Sequence, residues 1–295
     1  GSDLLKRGRV VKEGARYVYD PVKQRLPDVL TGLLAQNAKT AKTVEGFDSI
    51  VFGLSLTPYG LAWHADEAAK AWRHKGAPSL CHGSTPACRQ TCLVFSGQNM
   101  IDVQSFHAKL GKTRSLLAEP AAFVRLLIAA IDQFSVKPTV RVKGEGALTL
   151  SPDVQRFVRL NVFSDIPWEL IYPPLVLDPQ LYRGAVRFYD YTKVAGRDPP
   201  LGRYDLTFSY GGTKGSLGLG MREMLDGRRM AAVIFRKPGK KVKEVLVGRQ
   251  SLPSHVLLPR PDGDLPRGWA PMKAGARRFV AVPVVDGDIH DIRPQ

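Results

Sequence analysis

From Ser49 onward the chain alternates short apolar runs with stretches of helical spacing, and that alternation predicts an α/β domain. SIVFGLSL opens the series, a cysteine-bearing loop follows, and a long amphipathic stretch runs from about Val103 to Phe134. Then come TVRVK (139 to 143), VRLNVF (158 to 163), AVRFYD (185 to 190), DLTFS (205 to 209), MAAVIF (230 to 235) and FVAVPVVD (279 to 286). Most of these are rich in Val, Ile and Phe and bounded by Gly, Pro, Asp or Ser, as strands buried on both faces are. Seven or eight such strands in 295 residues fit a (β/α)8-like barrel better than a six-stranded doubly wound sheet. The intervening helices are uneven: Leu170 to Tyr182 contains Pro173, Pro174 and Pro179, and Lys237 to Arg278 is rich in Pro, Gly and Arg. The barrel is therefore expected to be distorted or incomplete. Residues 1–45 are basic, with Leu26, Val29, Leu30, Leu33 and Leu34 at helical spacing, which predicts an extended arm and a helix ahead of a single barrel-like catalytic domain over 46–295.

Composition narrows the class. An apolar content of 44% is enough to bury a core and argues against disorder. No apolar run approaches the roughly 18 residues of a membrane helix, since even Phe123 to Ile131 is interrupted by Arg125, so no membrane partner is expected. The basic segment containing Lys6, Arg7 and Arg9 is not followed by the apolar core of a signal peptide, and the expected location is the cytoplasm. Lys and Arg number 43 against 27 Asp and Glu, a net charge of +16 that attracts polyanions. Nucleic acid, in the first instance double-stranded DNA, is the expected partner. The charge is clustered at Lys6 to Arg16, Lys109 to Arg114, Arg236 to Lys243 and Arg277-Arg278, as a binding face requires. Oligomeric state is left open.

All three cysteines fall within LCHGSTPACRQTC, as Cys81-x6-Cys88-x3-Cys92. An odd number in a chain of this character argues against a disulfide framework and for a metal. His107, fifteen positions after Cys92, supplies a fourth ligand for a tetrahedral zinc site, with His82 and His74 as rivals. The alternative is a 4Fe-4S cluster held by the three thiolates with one open iron, as radical S-adenosylmethionine enzymes use, although their usual spacing is Cys-x3-Cys-x2-Cys.

In a barrel, chemistry sits where strands run into their following loops. VRLNVF ends in Ser164-Asp165 and leads to Trp168; AVRFY ends in Asp190-Tyr191 with Lys193 close behind. DLTF ends in Ser209 with Gly211-Gly212 after it, MAAVIF ends in Arg236, and VAVPVV ends in Asp286-Gly287-Asp288 with Arg293 beyond. Asp165, Asp190, Asp286 and Asp288 are candidates for the nucleophile and acid/base pair that break and remake a glycosidic bond, with Lys193 beside them. Ser164, Ser209, Gly211, Gly212, Arg236 and Arg293 are candidates for holding substrate, and Tyr191 and Trp168 offer faces on which a flipped base stacks. The same carboxylates could instead bind Mg²⁺ for phosphodiester chemistry. Any single pair is as readily explained by ordinary turn chemistry.

The Cys-rich loop followed by GQNMIDVQSFHAKLGKTRSLL, RLNVFSDIPWE, FYDYTK, LTFS and VVDGDIHDIRP, in that order, resembles a family of tailed-phage and mobile-element proteins over roughly residues 50 to 294. That resemblance implies a location in the host-cell cytoplasm. More distantly, the set of parts is similar to the phage DNA-guanine transglycosylases related to the queuine tRNA-guanine transglycosylases. Those combine a barrel, a zinc site of three cysteines and a histidine, and two catalytic aspartates. The similarity implies exchange of guanine in DNA for a 7-deazaguanine base, a small-molecule partner, through an Asp nucleophile. Two other functions fit the same residues: a radical S-adenosylmethionine-like iron-sulfur enzyme acting on nucleotides or nucleic acid, and a non-enzymatic, zinc-stapled DNA-binding replication accessory protein.

Overall fold

The structure is a computed structural model of the 295-residue chain that describes residues 7–13, 16–25, 32–36, 49–58, 79–90, 92–95, 102–142, 146–199, 203–231, 255–259, 270–274 and 277–283. The first described element is an antiparallel hairpin of β1 (Arg7–Glu13) and β2 (Arg16–Arg25), and Leu26, Val29 and Leu30 lie outside the described residues. Leu34, expected on a helix, lies instead in the two-residue strand β3 (Leu34–Ala35), which pairs antiparallel with β4 (Ser49–Leu54). The cysteine loop carries the short helix α1 (Pro86–Gln90). The amphipathic stretch forms two helices, α2 (Val103–Ala118) and α3 (Pro120–Val136). They separate at Glu119 because Pro120 has no N–H to donate and its ring disfavours helical geometry in the preceding residue, and Glu119 adopts φ −142° and ψ 74°. Asp102 fixes the start of α2 by accepting from the Ser105 N–H at 3.0 Å.

Beyond α3 lie a hairpin of β5 (Thr139–Val142) and β6 (Gly146–Thr149), then β7 (Gln155–Arg159) and the single turns α4 (Trp168–Ile171) and α5 (Pro174–Leu177). They are followed by β8 (Arg187–Thr192), β9 (Tyr204–Ser209), α6 (Lys214–Leu225) and β10 (Arg229–Ala231). A separate antiparallel sheet joins β11 (His255–Pro259), β13 (Arg277–Pro283) and β12 (Ala270–Ala274), in that spatial order. No helix among the described residues is long and apolar enough to cross a membrane.

The central sheet has the order β10-β9-β8-β7-β4-β3, and β4, β7, β8, β9 and β10 are mutually parallel. Among the described strands the parallel ones follow one another in space as they do in sequence, so each crossover steps the same way along the sheet. Two runs that the sequence counts toward a barrel stand elsewhere: 139–142 turns back into the β5–β6 hairpin, and 277–283 is the middle of the antiparallel sheet. Apolar alternation marks a segment as a strand; its partner is chosen by the connections on either side.

Register assigns two unlike faces to this sheet. One carries Ile50, Leu54, Val158, Phe188 and Tyr204, which pack with Phe123, Leu127, Ile131 and Phe134 of α3 and with Trp168 and Leu175 in the main core. The other carries Val51, Phe157 and Tyr189, a small cluster in which the Phe157 and Tyr189 rings meet edge to face at 6.3 Å. Toward the C-terminal ends of the strands this second face turns polar, with Arg159, Tyr191, Asp205, Thr207 and Ser209. The core ranks α3 as the main support of the sheet. Phe123→Ala, at a side chain with no exposure, is expected to lower the unfolding free energy by about 3–5 kcal/mol in urea titration. Leu170→Ala, at 74% exposure, is expected to stay within about 0.5 kcal/mol of the wild type.

Candidate functional site

The cysteine loop crosses the C-terminal ends of three successive parallel strands. Cys81 forms an isolated parallel bridge with Asp165, beyond β7, and the Asp165 N–H donates to Leu80 O at 2.8 Å. Gly83 lies against the residue after β8: a Cβ there would stand 2.7 Å from the Lys193 carbonyl carbon, so only glycine permits this approach. Thr85 donates its hydroxyl to Gly211 O, beyond β9, while accepting from Cys88 N–H at 3.1 Å to start α1. Gly211 is equally tight, since its Cβ would stand 2.7 Å from Thr85 Cγ2, and its N–H donates to Ser216 Oγ at 2.7 Å. Gly211 therefore docks the loop, whereas Gly212 supplies the left-handed turn (φ 77°) that leads toward α6.

The three thiols are free and partly buried, and Cys81 Sγ lies 3.4 Å from Phe163 O. Burial raises the pKa of all three. Asp165, Cys92 and Cys88 push Cys81 further up, and Cys92 stands at about 11. The Lys193 ammonium opposes this at every thiol. Lys193 is itself held by Ser209 Oγ at 3.0 Å and, at longer range, by the Ser209 and Tyr210 carbonyls. Cys81, Cys88, Cys92, Asp165, Lys193 and Ser209 thus form one neighbourhood. His107 is buried on α2, its ring edge-on to Phe106 at 5.7 Å. No group of three or more His, Cys, Asp or Glu among the described residues is drawn together around a single point as one metal ion needs.

Beneath the thiols lies a buried ionic network. Asp165 accepts from Lys193 N–H and from Arg197 Nη1, both at 2.8 Å. Arg197 grips Glu169 through Nε and Nη2, both at 2.7 Å, and donates to Thr192 Oγ1 at 3.0 Å. Asn161 organises the turn before it, accepting from Ser164 Oγ and Ile166 N–H at 2.9 Å each. Sequence reasoning passed over Arg197, Glu169 and Asn161; the only available signal was a second acid four residues after Asp165.

Other candidates have structural duties. Asp190 is 1% exposed on the core face; it accepts from Leu160 N–H, Asn161 N–H and Tyr204 Oη, which fills its oxygens and closes it to a substrate. Full burial raises its pKa to about 7, against the lowering effect of Arg159 and those donors. Trp168 is entirely buried and offers no face to a base, because its ring is core. Ser164 is spent on Asn161, while Tyr191 carries Arg159 over its ring, 4.8 Å from the centroid. Asp286, Asp288, Arg236, Arg293 and His74 lie outside the described residues.

A cysteine loop laid over the ends of a sequentially ordered parallel sheet defines this as an α/β protein. The chain belongs to the phage family of gene product 88, whose model matches residues 31–294. No curated protein and no solved structure matches it.

Two outcomes follow from the buried charges. Arg197→Ala, which strands Asp165 and Glu169 without a counter-ion, is expected to cost about 3–5 kcal/mol in urea denaturation. For Asp190 the folded state binds a proton more tightly than the unfolded chain, so its contribution to stability is full below the ordinary carboxylate pKa and falls as pH rises toward about 7. The Tm difference between wild type and Asp190→Asn is therefore expected to shift against the wild type from pH 4 to pH 7 and then level off, as thermal melts in a pH series would record.

Proposed function

We propose that this member of the gene product 88 family is an iron-sulfur enzyme of the radical S-adenosylmethionine kind, acting on nucleotides or nucleic acid. The observation that carries the reading is the single electrostatic neighbourhood formed by Cys81, Cys88, Cys92 and Lys193 over the strand ends. Three thiols, the only cysteines in the chain, leave one iron of a 4Fe-4S cluster without a protein ligand. A single zinc, at about 2.3 Å from each sulfur, would need the thiols gathered around one point together with a fourth ligand. A cluster takes each sulfur on a different iron, and so suits three thiols carried on one short loop over the strand ends.

Cys81, Cys88 and Cys92 would hold such a cluster, which, given an external reductant, would supply the one-electron chemistry for reductive cleavage of S-adenosylmethionine. The chain's own residues prepare the place. Gly83 and Thr85 pin the loop, burial keeps the thiols protonated until metal arrives, and Lys193 eases their ionisation. Asp165 holds the Lys193 backbone and the Cys81 segment in step. The net charge of +16 supports a polyanionic substrate. Base exchange through an aspartate nucleophile draws less from this geometry, because both oxygens of Asp165 and of Asp190 are already bonded.

Anaerobic reconstitution with ferrous iron and sulfide is expected to give a brown protein with about four irons per chain, which releases 5′-deoxyadenosine from S-adenosylmethionine on reduction. Cys88→Ser should lower the iron content and abolish the release. A colourless protein with about one zinc per chain, or incorporation of labelled 7-deazaguanine into DNA that depends on Asp165, would replace this reading.

A further inference from the structure

Arg159, the last residue of β7, is a buried cation whose ion pair with Asp190 is not closed by a hydrogen bond. Its side chain is 5% exposed, yet it makes no hydrogen bond within the protein, and its buried Nε lacks a partner. The nearest acid, Asp190, stands 3.6 Å from Nε, beyond hydrogen-bond range, and its oxygens are occupied by Leu160 N–H, Asn161 N–H and Tyr204 Oη. A guanidinium carries five N–H donors, and removing them from water without acceptors is costly. What Arg159 does have is position. It lies on the polar face of the sheet, held over the Tyr191 ring at 4.8 Å, and that stack orients its plane.

The other charged pair on this face is already matched, since Arg229 bonds Asp205. Thr207 and Ser209 follow Asp205 on the same face, and Ser209 holds Lys193 at the strand ends. Among the described residues none gives Arg159 Nε an acceptor within hydrogen-bond range, and its burial favours a small group over a polymer backbone. We propose that the polar face of the sheet holds a phosphate-binding subsite in which Arg159, braced on Tyr191, takes the phosphoryl group of a small nucleotide. A phosphoryl group matches the planar fork with two parallel acceptors and supplies the hydrogen bonds that the 3.6 Å ion pair with Asp190 leaves unmade. Tyr189 and Phe157 are the aromatic residues of the same face. The subsite is independent of whether the thiols hold a cluster.

Calorimetric titration of the full chain at fixed ionic strength tests it, with AMP, adenosine, inorganic phosphate and acetate as probes. AMP and inorganic phosphate are expected to bind and adenosine is not; acetate binding as tightly as phosphate would overturn the choice of phosphate in favour of a carboxylate. Arg159→Lys, which keeps the charge but loses the fork, should weaken AMP by about ten- to a hundredfold. Tyr191→Leu, which leaves the guanidinium in place and removes its brace, should weaken AMP less while the circular dichroism spectrum stays unchanged. Equal AMP affinity in wild type and Arg159→Lys, or no AMP binding by a folded wild type, would overturn the proposal.

Discussion

The organisation of the site depends on one carboxylate, that of Asp165. Its backbone bridges Cys81, one oxygen receives the Lys193 N–H and the other receives Arg197, so a single residue ties the thiol loop, the end of β8 and the Arg197–Glu169 pair. Burial alone pushes its pKa up, and the donors around it oppose that shift. A charge taken out of water is tolerated only where such donors surround it, which makes the geometry of this junction specific rather than merely compact. Any substitution that removes one donor leaves the rest of the junction with an uncompensated charge.

Sequential strand order explains why the junction can exist. Because β7, β8 and β9 are spatial neighbours in chain order, the turns that follow them lie side by side along one edge of the sheet. A loop running along that edge meets them in succession, and alternate residues Cys81, Gly83 and Thr85 do so. Glycine is needed at Gly83 and Gly211 because backbone passes against neighbouring atoms there, not because the chain must bend. The polar half of the other sheet face, with Arg159, Thr207 and Ser209, runs toward the same edge.

The two aspartates that look alike in sequence show how environment divides equivalent chemistry. Each follows an apolar run, and each lies near the end of a parallel strand. Asp190 points to the core face and becomes a receptor for the β7 turn through Leu160 and Asn161, whereas Asp165 lies beyond the strand and meets Arg197 and Lys193. Position decides the difference: Asp190 lies within β8, where alternation turns it to the core face, whereas Asp165 lies in the turn region after β7, where the cysteine loop and Arg197 meet it.

Much of this was legible from the residues. The runs at 49–54, 204–209 and 229–231 are strands, the clustered thiols occupy a loop at the strand ends, and Asp165, Lys193 and Ser209 gather beside them. These follow from local rules: alternation sets a strand, Pro120 ends a helix, and Thr85 starts one. Partner choice was not legible, which is why 139–142 and 277–283 pair outside the parallel sheet and why Trp168 is core rather than a stacking platform. The amino-acid sequence by itself determined which segments extend or coil, where thiols and charges cluster, and the net positive charge of +16. Tertiary structure alone decided which acids are sealed, that Arg197 answers Asp165 and Glu169, and that Arg159 is buried without a hydrogen bond, because burial and hydrogen-bond saturation arise from segments far apart in the chain.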